Sequence, residues 1–210
     1  MRLQRERLKR VEDKMKLFDT WDISGIKVED KGVEKYINLN PVYVPRSSGR
    51  NVKIQFHKSY YSIVERLMNR LPVVGHKGKK HKYSSGHNLG KSIKMYKLIF
   101  KALKLIEDRT KKNPIEVLVK AIENAAPREE ITTIEYGGAR YPKSVECAPQ
   151  RRIDLALRNI SQGTYANSFN KKKKAHEALA EEIINAYSLN MKSNAIAKKL
   201  EIERQADSAR

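Results

Sequence analysis

Between residues 35 and 106 the chain carries sixteen lysines and arginines and a single acid, Glu65. This imbalance constrains the fold most. Like charges repel in a compact state, so such a stretch closes up only beside a counter-charge. Ordinary solvated surfaces mix both signs at helical spacing. Residues 1–34 follow that rule, with nine basic and eight acidic groups, and residues 176–210 are about balanced. Residues 107–135 are slightly acidic, whereas 136–175 hold nine basic groups against two acids. The net charge of +20 therefore rests in two zones, 35–106 and 136–175. A polyanion is the natural partner, either nucleic acid or an anionic membrane face. The membrane alternative needs an amphipathic helix with a free aromatic or leucine face, and each apolar face here is better used as core.

The 210 residues suggest one ordinary domain with extensions, or two small ones. No apolar run approaches the roughly 18–20 residues of a spanning helix, and residues 1–7 lack the apolar stretch of a secretory signal. With one cysteine, Cys147, neither a disulfide framework nor a cysteine-based zinc knuckle can form. The expectation is a reduced, intracellular protein.

Apolar periodicity predicts a mainly α fold: about six helices, one protruding β-hairpin and an irregular N-terminal extension. Residues 1–17 read as a helix. Residues 18–56, which contain Trp21, Pro41, Pro45 and Gly49, have too few apolar residues to fold alone and are expected to lie on something else. We place a boundary there, with a helical domain over 57–210. Tyr60, Ile63, Val64, Leu67, Met68 and Leu71 form one stripe, and Ile93, Tyr96, Ile99, Phe100, Leu103 and Ile106 another. Residues 75–91 read as a loop. Asn113, Pro114 and Glu116 predict a helix start, as cap, first position and third. The period then changes to two over 131–136 and 140–147, around Gly137-Gly138, a hairpin signature. Helices over residues 149–160 and 175–187 follow, and a last one begins near Ser193.

Lys94, Lys97, Lys101 and Lys104 share a helix face opposite the apolar stripe, the first three with no acid at pairing distance, and we favour phosphate contact for them. The loop residues Lys77, Lys79, Lys80, Lys82 and Lys91 suit a phosphate-tracking role. His76, His81 and His87 match no zinc spacing, and Gly78-Lys79-Lys80 is no Walker loop. Arg140, Tyr141 and Lys143 sit near the hairpin turn, where they can reach unpaired bases or backbone; the tyrosines Tyr136 and Tyr141 serve equally as cross-strand partners. Arg151 and Arg158, seven apart, share a face, with Arg152 beside them. Lys171, Lys172, Lys173 and Lys174 precede a helix, an awkward place without an anion. Arg46, Arg50, Lys53, Lys58 and Arg70 complete the candidate RNA-binding set. No paired carboxylates, metal box or nucleophile motif emerges, so we expect neither enzyme nor cofactor.

Several segments resemble one family: Lys16-Leu17-Phe18-Asp19-Thr20-Trp21, Val44-Pro45-Arg46-Ser47-Ser48-Gly49-Arg50, Asn113-Pro114-Ile115-Glu116-Val117-Leu118, Gly137-Gly138-Ala139-Arg140-Tyr141 and Pro149-Gln150-Arg151-Arg152. In order and spacing the chain is similar to the universal small-subunit ribosomal protein seven family, in its archaeal and eukaryotic form. The resemblance implies a helical domain with a protruding hairpin in the head of the small subunit, in the cytoplasm. It implies binding to the 3′ major domain of the small-subunit rRNA, a role in starting head assembly, and other head and platform proteins as neighbours. The turn from Gly137 to Tyr141 would face exit-site tRNA and the mRNA path; Lys79, Lys80, Arg46, Arg50, Arg151 and Arg152 would face rRNA. Pro142, Lys143 and Ser144 depart from the family's strand, which predicts an irregular second strand. The alternative class is a general chromatin- or DNA-binding protein.

Overall fold

The computed structural model describes residues 15–47, 54–73 and 88–210. The helix expected over residues 1–17 and the loop expected over 75–91 lie almost wholly outside them, as do Arg50, Lys53, Lys77, Lys79, Lys80 and Lys82. Seven α-helices are described: α1 (Lys31–Glu34), α2 (Ile63–Arg70), α3 (Ser92–Thr110), α4 (Pro114–Ala125), α5 (Pro149–Ser168), α6 (Ala175–Tyr187) and α7 (Asn194–Asp207). Two antiparallel strands, β1 (Glu129–Tyr136) and β2 (Ala139–Glu146), form one hairpin between α4 and α5.

Helix α6 occupies the centre, packed against α3, α4 and α5. Its Leu179, Ala180, Ile183 and Ala186 are fully buried. They meet Ile99, Leu103 and Ile106 of α3, Leu118 and Ile122 of α4, and Ile153 and Ile160 of α5 in one continuous core. Truncating any of these leucines or isoleucines to alanine costs about 2–5 kcal/mol, because such interiors collapse only partly around a cavity. Helix α4 starts as its sequence predicts: Asn113 Oδ1 accepts the Ile115 N–H at 3.0 Å, with Pro114 in the first turn.

The extension lies on this bundle and belongs to its core. Leu17, Phe18, Trp21, Ile23, Val33 and Ile37 are buried with the helices. Phe18 and Trp21 meet Phe100 of α3 with ring centroids 5.6 Å apart in both cases. The Trp21 indole N–H donates to Glu107 at 2.9 Å. Farther along, Asn38 forms a parallel bridge with Ser62, at the start of α2.

The predicted stripes shift at their ends. Tyr60 and Ile93, expected in the core, are exposed, while Met95 and Ala102 are buried in their helix. The second hairpin strand is regular, contrary to expectation, and Pro142 pairs opposite Thr133. Ser144, two residues on, donates its N–H outward to the Ala209 carbonyl. Residues two apart along a strand point alike, so the missing N–H of Pro142 costs no ladder bond.

Candidate nucleic-acid interface

The two basic zones converge. Helix α2, from the first, packs against α5, from the second, and the short turn over residues 57–60 lies between them. Together they wall an open groove of about 930 Å³. Its lining includes Lys58, Arg66, Arg70, Arg151 and Arg158, and one acid, Asp154. Glu65, the only acid of residues 35–106, is no help to this surface. It is 4% exposed, and its carboxylate accepts the N–H and hydroxyl of Ser47 at 2.9 and 2.7 Å.

Asp154 is already engaged. It accepts from Arg66 at 3.1 Å and pairs with Lys58. Arg66 is buried and also donates to the Tyr36 carbonyl at 2.9 Å, tying the extension to α2 and α5. Among the described residues, Arg70 and Arg158 remain without a carboxylate in ion-pair distance. Burial, and then the like charge of Arg158, lower the Arg70 pKa, and Asp154 only partly offsets them. Two guanidinium groups that repel within one groove have forked donors suited to an anion, and a phosphate between them would relieve the repulsion.

A second cationic surface lies on α3. Lys94, Lys97, Lys101 and Lys104 are all exposed, and among the described residues none has a carboxylate within ion-pair distance. Lys91, just before the helix, is exposed as well. Its sequence spacing is thus realised as a solvent-facing stripe.

The hairpin projects beyond the bundle, and every residue from Ile131 to Lys143 is exposed. Ile134 pairs with Tyr141, while Thr132 pairs with Lys143, so one face carries an isoleucine, two tyrosines and a lysine. Arg140 lies beside Glu135 across the ladder at 3.4 Å, an exposed and weak contact. Gly137 and Gly138 close the turn at φ 58° and 80°, a conformation for which side chains other than glycine are strained. The root is held differently. Arg210 and Ser144 both donate to Glu129, and Arg128 donates its N–H to Glu203 of α7 at 3.0 Å.

Several expected contact residues are placed otherwise. Arg152, expected to face RNA, is 9% exposed; it donates to Asp30 at 2.7 Å and to the Pro127 carbonyl at 3.1 Å. Its Nε and Nη2 are both engaged inside the protein, where they hold the extension and the start of the hairpin against α5. Arg151 is exposed but shares its fork with Glu130. Lys173 pairs with Glu181, while Lys171, Lys172 and Lys174 stay exposed, as does Arg46. Arg66 was missed, although helical spacing sets it one turn before Arg70 on the same face. Cys147 is a buried free thiol, and burial pushes its pKa up to about 11, away from the thiolate form. Among the described residues no His, Cys, Asp and Glu cluster could hold a metal, and no helix is long and apolar enough to cross a membrane.

Fold and charge together define a class, a helical protein with a cationic groove, a lysine-faced helix and a projecting basic–aromatic hairpin, shaped to lie against a polyanion. Residues 33–210 match the family model described as ribosomal protein S7p/S5e. The chain is 57% identical over 197 residues to the small ribosomal subunit protein uS7 of Nanoarchaeum equitans, covering 94% of this chain and 100% of that protein. It is 46% identical to the protein of the same name from Methanosphaera stadtmanae, over 92% of this chain and 98% of that one. With its counterpart in Archaeoglobus fulgidus it shares 42% identity, over 94% and 96%. The chain belongs to the ribosomal protein S7p/S5e family.

Proposed function

We propose that this chain is a structural, non-enzymatic constituent of the small ribosomal subunit. It binds the 3′ major domain of the small-subunit rRNA and nucleates folding of the head, beside other head and platform proteins. The groove and the α3 stripe draw converging phosphates together, and the hairpin tip lies near exit-site tRNA and the mRNA path. One observation carries this reading: Arg70 and Arg158, from the two separate basic zones, line one groove whose only acid among the described residues is already taken.

The test is the salt dependence of binding to a head-domain rRNA fragment. Each phosphate contact contributes roughly 0.7–0.9 to the slope of log affinity against log salt. Replacing Arg70, Arg158, Lys97 and Lys101 by glutamine is expected to flatten that slope by about 3 in a folded protein. An unchanged slope sinks the assignment of these residues. Equal wild-type affinity for duplex DNA and the folded fragment favours a general nucleic-acid binder instead.

A further inference from the structure

We propose that the groove between α2 and α5 seats one unstacked RNA base, and so reads a nucleotide rather than phosphate charge alone. This rests on the polyanion reading of the groove and extends it. Phosphates need cations, which Arg70 and Arg158 supply. They have no use for aromatic rings or a neutral amide, and the groove holds both. Phe56 lines it with more than half of its surface open to solvent. Its backbone has φ 58°, a conformation that bulky side chains rarely adopt. Beside it the His57 ring lies 5.4 Å from Tyr61, which also lines the groove, and 5.9 Å from the exposed Tyr60. Tyr61 is itself buried and backs the cluster, while Phe56 and Tyr60 are exposed, and exposed rings beside a cationic track are what a base stacks on.

The amide is the second, independent observation. Gln150 lines the groove from the first turn of α5, yet is only 6% exposed. Its Oε1 accepts the Ser59 hydroxyl at 2.7 Å, while its Nε2 is buried with no partner among the described residues. Turning the amide over exchanges the two atoms and still leaves one unmatched. A buried polar group in this state is costly until a partner arrives. A base edge carries carbonyls, ring nitrogens and amines able to pair with an amide, and a small rotation of Gln150 presents its free atom to the groove.

The test compares two polyanions at equal charge, short single-stranded RNA and inorganic polyphosphate, by fluorescence anisotropy and competition with the full chain. The wild type is expected to prefer RNA about tenfold, since stacking and an edge bond act only on bases. Phe56→Ser, at an exposed position, and the near-isosteric Gln150→Leu are each expected to remove most of that preference without weakening polyphosphate binding. Arg70→Gln with Arg158→Gln is expected to weaken both ligands. Equal wild-type affinity for the two polyanions, or a preference that survives both single variants, overturns the base seat and leaves the cationic groove standing. Failure of the double arginine variant to weaken either ligand overturns the groove reading itself.

Discussion

Each step along an α-helix turns the side chain by about 100°, and at α5 one step separates a surface cation from a buried one. Arg151 points outward to Glu130, whereas Arg152 shares its face with the buried Ala156, Asn159 and Gly163. Arg152→Ala strands Asp30 and the Pro127 carbonyl. It is expected to lower stability by about 2–3 kcal/mol, seen as a lower urea midpoint, without altering the salt slope of RNA binding. The effect has a pH signature. Burial acts to raise the Asp30 pKa, but the hydrogen bonds from Arg152 and the Gly32 N–H outweigh it and hold the carboxyl below its ordinary 3.8. A depressed carboxylate contributes stability that is present above the unfolded value and lost as pH falls through the folded one. The gap between wild type and Arg152→Ala should therefore narrow as pH drops below 3.8; a gap that persists there excludes the pair as its cause.

Elements are joined here by buried polar contacts as well as by apolar ones. The N-terminus of α7 is capped by its own Ser193 and, across the bundle, by Glu182 of α6, which accepts from the Ser193 hydroxyl at 2.8 Å and the Ala195 N–H at 3.0 Å. Gly163 of α5 permits this approach, because a Cβ there would stand 2.7 Å from the Glu182 carboxyl. Burial raises the Glu182 pKa despite those hydrogen bonds. The stability linked to its proton is complete below the unfolded value, 4.5, and lost as pH rises through the raised one. Glu182→Gln keeps an accepting oxygen and removes the buried charge, so it should melt above wild type at pH 7 and equal to it near pH 4. A lower melting point at pH 7 would falsify this account. The hairpin behaves otherwise, since only its root is tied to the bundle. Excising residues 133–142 should change stability by less than about 1 kcal/mol in urea unfolding. A larger loss means that the tip packs on the bundle.

Legibility followed the range of the forces. Asn113-Pro114 and Gly137-Gly138 act within a few residues of themselves, so the α4 start and the hairpin turn were readable in the chain. The face of α3 was readable from its lysines. The burial of Arg152 and Arg66 was not, because it depends on Asp30 and Tyr36, which lie 122 and 30 residues away respectively. Stripe ends also misled: Tyr60 and Ile93 fit the apolar period but are left exposed. The groove needed α2 and α5 to be brought together, and no local pattern states that.

At the scale of the whole molecule, the net charge of +20 sets both partner and stability. The free protein holds its basic zones together against their own repulsion. Raising salt from about 0.05 to 0.5 M screens those exposed charges, and should raise its melting temperature. Polyphosphate should do so at far lower concentration, because it binds the folded form. A melting temperature that falls with either addition contradicts the view that unpaired cations strain this fold. Trp21, the only tryptophan, is buried where the extension meets α3, with its indole N–H on Glu107. The chain thus carries a native optical reporter at a single joint. Ligands that fill the groove and leave this joint closed leave its emission unchanged, and a shift to the red on binding records the extension peeling from α3.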